Sequence, residues 1–140
     1  MSKDYIYYTY EGAMEAIERY WWKLEYVRPD LQTPEMAMMA VKGGLWALEF
    51  VRKDLITPEL AERAVKEYGS NLRYVPEHII TPEMALDAVK WSGWILEFVP
   101  ANCQTQEVIE AALKKDPSNS KFIKVKGLMM EALDEALRNP

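Results

Sequence analysis

Thr81-Pro82-Glu83-Met84-Ala85-Leu86-Asp87-Ala88-Val89-Lys90, followed by Gly93-Trp94-Ile95-Leu96-Glu97-Phe98-Val99-Pro100, is the stretch from which the rest of the chain is read. Its opening tripeptide returns. Thr-Pro-Glu stands at Thr33, Thr57 and Thr81 and Thr-Gln-Glu at Thr105, each 24 residues after the last, and one step back lies Thr9-Tyr10-Glu11. Self-similarity at a fixed period marks a repeat architecture, in which no unit buries its apolar face alone. The units are 9–32, 33–56, 57–80, 81–104 and 105–126, with a lead at 1–8 and a capping helix expected over 127–139. Other columns keep the register: Ala16, Ala40, Ala64, Ala88 and Ala112 seven residues after each Thr, and Leu24, Leu48, Leu72 and Leu96 fifteen after it, with Ser120 breaking the column. An aromatic then precedes a β-branched residue: Tyr26-Val27, Phe50-Val51, Tyr74-Val75, Phe98-Val99 and Phe122-Ile123.

The chemistry of one unit predicts its shape. Thr accepts an orphan N–H as an N-cap, Pro at the next position gives up only a donor the first turn does not use, and Glu suits the positive end of the helix dipole. Apolar or small residues then fall on one helical stripe, such as Leu60, Ala61, Ala64, Val65 and Tyr68 in the third unit. Glycine near the end of the stripe (Gly43 and Gly44, Gly69, Gly93) is expected to stop the helix as a C-terminal cap. The shorter apolar piece that follows reads as a second helix. A βα repeat is the alternative, since Leu-x-aromatic-Val is rich in strand formers, but Leu-Glu and Leu-Arg interiors favour helix. The fold expected is all-α: a short α-solenoid of five helix–turn–helix repeats, in which the alanine column lets neighbouring helices approach. In the closing stretch Leu128, Met129, Ala132, Leu133, Ala136 and Leu137 share one side, as a cap over the last apolar face requires. Tyr5, Tyr7, Tyr8 and Tyr10 are expected to lie over the first unit; a strand there has no obvious partner.

The pattern Ala88-Val89-Lys90…Gly93…Leu96-Glu97-Phe98-Val99-Pro100 resembles the repeats of a domain of unknown function, family 4116, and the resemblance covers about residues 9–125. It implies helical repeats of a kind found in bacterial, phage and large-virus proteins, including effectors of intracellular bacteria. It carries over no activity and no catalytic residue. The first unit departs from it, with Tyr20-Trp21-Trp22 where glycine would stand, so that helix is expected to run on.

Composition removes several functions. The 140 residues hold 17 basic against 22 acidic side chains, a net charge of −5, which is a poor basis for neutralising phosphates and speaks against nucleic acid. No apolar stretch approaches the roughly 20 residues that cross a bilayer, and Lys3 and Asp4 stand where a signal peptide would be apolar. The single cysteine, Cys103, forms no internal disulfide and points to a reducing, cytoplasmic setting. His78, the only histidine, shares its register with Asp30, Asp54 and Asn102, and Cys103 with Leu31, Leu55 and Ile79, so both read as junction residues. Neither Cys-x-x-Cys nor His-Glu-x-x-His occurs, and Gly43-Gly44 lacks a Gly-Lys-Ser continuation. The expectation is therefore a non-enzyme: no catalytic residues, no metal and no cofactor. A hydrolase using paired carboxylates is the rival enzyme reading, although Glu11, Glu35, Glu59, Glu83 and Glu107 are explained as first-turn helix residues.

Two features point to a surface instead. Trp22, Trp46 and Trp94 share a column, with Trp21 and Trp91 close by; the same column holds Ser70 and Ser118, so a large side chain is not demanded and partial exposure is expected. Exposed tryptophans on a rigid edge make interface anchors, and Trp22, Trp46, Trp91 and Trp94 are expected to serve as such. Glu25, Glu49 and Glu97, replaced by Arg73 in the third unit, form an acidic column that would select a basic partner, and Met38 and Met39 add adhesive surface. Lys42, Lys66, Lys90 and Lys114 read as a solvated ridge, supported by the pairs Glu62–Lys66 and Glu110–Lys114. The function expected is protein binding along the tryptophan edge, by a monomer or a homodimer. The alternative is a phage-type inhibitor of a host or defence enzyme, with acidity imitating nucleic acid.

Overall fold

The computed structural model describes residues 5–44, 46–125, 127, 135 and 138. The chain is all-helical. Among the described residues up to 125, five α-helices, α1 (Tyr10–Arg19), α2 (Pro34–Gly43), α3 (Pro58–Glu67), α4 (Pro82–Trp91) and α5 (Gln106–Lys115), alternate with 3-10 helices. Each α-helix has ten residues and begins directly after its threonine, whose hydroxyl accepts the N–H of Gly12, Met36, Leu60, Met84 or Val108 at 3.1–3.3 Å. Each also has its Glu in the first turn. Helices this short are below the roughly 12–15 residues at which an isolated helix becomes marginal, so packing must hold them.

The second element differs from the single short helix expected. Each of the first four units has two 3-10 pieces. The longer ones are Trp21–Tyr26, Ala47–Phe50, Gly69–Tyr74 and Gly93–Phe98, with Pro117–Phe122 in the fifth unit; three-residue junction turns follow at Pro29–Leu31, Lys53–Leu55, Glu77–Ile79 and Ala101–Cys103. Between two extended residues there is room for six residues at most, and i→i+3 bonds leave fewer orphan groups in so short a piece than i→i+4 bonds would.

Nor do the glycines stop the α-helices by turning left-handed: no described residue has a positive φ. Each α-helix ends because the next residue is extended, at φ −142 to −161° for Tyr20, Gly44, Tyr68, Ser92 and Asp116. In four of them its N–H returns to the column alanine, at Ala16, Ala64, Ala88 and Ala112. The first unit therefore needs no glycine, and α1 ends at Arg19 like the others rather than running on. What the glycines supply is room. A Cβ on Gly69 would lie 2.6 Å from the Cβ of Trp91, one on Gly44 would enter the Trp21 ring, and one on Gly93 would reach 2.8 Å from the Ala112 carbonyl oxygen.

Packing runs between successive units. α1 meets α2, α2 meets α3, α3 meets α4 and α4 meets α5, while the longer 3-10 segments meet one another in the same order. The core is one continuous cluster that includes Ala40, Ala64, Ala88 and Ala112, Leu24, Leu48, Leu72 and Leu96, and Val27, Val51, Val75 and Val99, all of them buried. At the N-terminus, the Ile6 and Tyr7 N–H groups both donate to the Tyr26 carbonyl at 3.0 and 3.2 Å, and Tyr7 forms an isolated parallel bridge with Val27. That is the partner the sequence did not reveal. Tyr7 packs on the core, whereas Tyr8 and Tyr10 are exposed, and the Tyr10 hydroxyl donates to Glu35 at 2.7 Å. The capping helix expected over 127–139 lies outside the described residues except for Gly127, Glu135 and Arg138, which are helical. No described helix is long and apolar enough to cross a membrane.

Candidate functional site: the edge of 3-10 segments

In a 3-10 helix side chains three apart eclipse. The tryptophan column and the column three residues later therefore project on one side of the six-residue segments, whereas Trp46 directly precedes its shorter segment, Ala47–Phe50. Aligned in this way, the units fall into two kinds. Trp22 stands with Glu25, Trp46 with Glu49 and Trp94 with Glu97; Ser70 stands with Arg73 and Ser118 with Lys121. The serine units share a further residue. Asn71 and Asn119 are buried, and their side-chain Nδ2 groups donate to the carbonyls of Ala64 and Ala112, each at 3.0 Å. The asparagine thus closes the end of its α-helix.

Trp22, Trp46 and Trp94 are 44, 49 and 42% exposed, as the interface reading requires. The premise behind that expectation was wrong at one point: Ser70, in the same column, is 2% exposed. Trp22 and Trp94 meet the aromatics four residues on, Tyr26 and Phe98, edge to face at 6.4 and 6.0 Å. Trp91, 47% exposed, belongs to the end of α4 and leans back on Gly69, beside the serine of the third unit. Glu49 and Glu97 are exposed and Glu25 is half-buried. Glu49 also lies beside the Tyr74 hydroxyl, whose pKa is raised first by burial and then by that carboxylate. Met38 and Met39 are half-buried and packed against the core. Met39 joins Trp21 in a groove of about 380 Å³ between α1 and α2, which none of the exposed tryptophans lines.

Of the other groups, Cys103 is buried and its thiol donates to the Ile80 carbonyl at 3.3 Å. Burial, then Glu83, pushes its pKa up, which disfavours the thiolate. His78 is exposed on its junction turn. Among the described residues no three His, Cys, Asp or Glu side chains gather as a metal site. The lysine column is exposed, but the ion pairs along the α-helices are Glu15–Arg19 and Arg63–Glu67, not those expected; Glu110 instead accepts from Gln106 at 2.9 Å.

Two functional features were missed in the sequence. Gln32 and Gln104, the last residues of their units, reach into the next unit: Gln32 bonds the Phe50 carbonyl and the Arg52 N–H, and Gln104 the Phe122 carbonyl and the Lys124 N–H. The other is a cationic set around Tyr74. The Lys53 ammonium donates to the Tyr74 carbonyl at 2.9 Å and lies 5.8 Å from its ring, while the Arg73 guanidinium lies 5.6 Å from the same ring and 5.5 Å from Phe98. The signal for the first was the column Gln32, Ile56, Ile80, Gln104; for the second it was Arg73 standing alone in an acidic column.

Residues 57–104 match the family model described as Domain of unknown function (DUF4116). The resemblance to DUF4116 therefore holds over the third and fourth units, where Gly69 and Gly93 and Pro76 and Pro100 repeat in register. No curated protein and no solved structure matches the chain.

Proposed function

We propose that the protein is a non-enzymatic binding module, a short α-solenoid of five 24-residue units that presents its edge of 3-10 segments to a protein partner. The observation that carries this reading is the exposure of Trp22, Trp46 and Trp94 at one register position in the first, second and fourth units, whose leucines and valines are buried. Large aromatics half in water at regular spacing on a rigid support lose little freedom on binding, and each offers a broad apolar contact. Glu25, Glu49 and Glu97, three residues after those tryptophans, would favour basic groups facing them. A buried Cys103 with a disfavoured thiolate, and carboxylates that serve as first-turn helix residues, support a non-catalytic role in a reducing cytoplasm.

The test is affinity capture with the wild type and with Trp46→Ser/Trp94→Ser. The substitution places at two exposed positions the residue already found in that column at Ser70 and Ser118. The expected result is loss of the captured partner by a variant whose circular dichroism is unchanged. A folded double variant that retains every partner refutes the reading. Mass measurement of both proteins in solution identifies the case in which the partner is a second copy.

A further inference from the structure

The chain is acidic, yet one cleft in it is cationic. It lies between the junction turn Lys53–Leu55 and the segments Gly69–Tyr74 and Glu77–Ile79, and it holds about 530 Å³, within the usual range for a ligand site. Lys53, Arg73 and His78 form its rim, and Ile56, Pro76 and Ile79 form its apolar floor. Asp54 is the one acid that lines it, and the Arg52 guanidinium holds it as a bidentate pair. The full charges left facing the cleft are thus those of Lys53 and Arg73, in a chain whose net charge is −5. Both cations are held within 6 Å of the Tyr74 ring, and neither is paired with a carboxylate among the described residues. Partial burial also lowers the Lys53 pKa, as expected of an ammonium that lacks a counterion.

We infer that this cleft is a docking site for an acidic peptide segment, in which an Asp or Glu carboxylate sits between Lys53 and Arg73 while a neighbouring aliphatic side chain rests on Ile56, Pro76 and Ile79. An apolar floor beneath two cations suits a carboxylate carried beside an apolar group. A nucleic-acid strand would require a run of cations to track its phosphates, and the surrounding acidic chain would repel it. The site uses none of the tryptophans of the proposed edge, so it stands or falls separately from that reading.

The test uses the full chain and two labelled synthetic peptides, acetyl-Ser-Leu-Glu-Leu-Asp-Val-Ser and its counterpart with Lys at both acidic positions, followed by fluorescence anisotropy. Because His78 is the only histidine, its imidazole Cε1–H resonance reports occupancy of the cleft without overlap. The acidic peptide should bind about tenfold or more tightly than the basic one, weaken as salt is raised, and shift the His78 resonance. Arg73→Glu should weaken it by a similar factor. That variant places in the third unit the residue the first, second and fourth units already carry as Glu25, Glu49 and Glu97, so it should fold, and circular dichroism verifies this. Trp46→Ser/Trp94→Ser should leave this affinity unchanged. Equal binding of both peptides, no binding at millimolar concentration, no effect of Arg73→Glu in a folded protein, or a His78 resonance that does not move would each overturn the proposal.

Discussion

The junctions at the two ends of the repeat array and those in its middle solve one problem with different chemistry. Where the first unit meets the second, and the fourth meets the fifth, the last residue of the earlier unit is glutamine and the facing backbone position, Arg52 or Lys124, offers an N–H at 2.8 Å. In the two central junctions the last residue is Ile56 or Ile80, both buried, and the equivalent backbone position is Pro76 or Pro100, which has no N–H to offer. A buried N–H needs an acceptor; a buried proline needs only an apolar neighbour. The carbonyl that ends four of the five longer 3-10 segments follows the same logic. That of Phe50 takes the Gln32 amide and that of Phe122 the Gln104 amide. At the first central junction, where isoleucine cannot donate, the Tyr74 carbonyl takes the Lys53 ammonium, and at the N-terminus the Tyr26 carbonyl takes the Ile6 and Tyr7 N–H groups. The period fixes where the backbone groups fall, and the neighbouring unit decides which side chain each position needs.

The sharpest way to break this contrast is Gln104→Leu. Gln104 is 1% exposed, shares its amide protons among the carbonyls of Leu96, Val99 and Phe122, and accepts from Lys124. Leucine keeps the volume and orphans the Phe122 carbonyl and the Lys124 N–H, while the Leu96 carbonyl keeps the Val99 N–H and the Val99 carbonyl keeps the Lys124 ammonium. The loss should be about 2–4 kcal/mol, since each unsatisfied buried group costs roughly 1–3 kcal/mol, and a fall in the urea midpoint measures it. Gln104→Ile combined with Lys124→Pro converts this end junction to the central kind. The double-mutant cycle should show a favourable coupling of about 1 kcal/mol or more, and strict additivity would mean that the two positions are independent. Next in size is the reverse exchange, Ile56→Gln. It places an amide at a 3% exposed position opposite a proline, and the unpaired polar group should cost about 1–3 kcal/mol, read from the same denaturation curves.

Much of this was legible in the residues themselves. The threonine column gave the start of every α-helix because an N-cap is a local device, and the alanine, leucine and valine columns gave the core because burial tracks periodicity. What stayed hidden was anything that depends on an adjacent unit. Gly69 looked like a helix stop because its actual role, making room for Trp91, involves a residue 22 positions away. The second element looked like one α-helix because apolar composition does not separate i→i+3 from i→i+4 bonding over six residues. At the tryptophan edge the exposure was expected because the same column also holds serine, although Ser70 is itself buried. The pairing of Trp with Glu and of Ser with Arg or Lys was present in the sequence; residues three apart are neighbours on an α-helix as well, and a 3-10 segment brings them directly into line.

Acid should separate the two kinds of junction by the smallest margin. Arg52 ties the first junction together: its N–H donates to Gln32, its guanidinium donates to the Pro29 carbonyl at 2.7 Å, and the same guanidinium is held by Asp54. Near the last junction, Asp116 caps the Pro117–Phe122 segment by accepting the Ser118 N–H at 2.9 Å. The Arg52 guanidinium lowers the Asp54 pKa and the Ser118 N–H lowers that of Asp116, both from the ordinary 3.8. The folded state therefore binds fewer protons than the unfolded chain at these two groups. Their contribution is present in full above the unfolded pKa and is lost as pH falls below 3.8 and through the folded values. Both carboxylates are exposed, so water and salt screen most of the effect. Thermal melts of wild type and of Asp54→Asn/Asp116→Asn should differ at pH 6 by a few degrees at most and converge towards pH 2.5. Asparagine still caps at position 116, so most of the difference is due to the Arg52–Asp54 pair. A gap that stays constant across this range would show that neither carboxylate helps hold the end junctions through its charge, leaving the glutamine bonds alone to distinguish them from the isoleucine–proline centre.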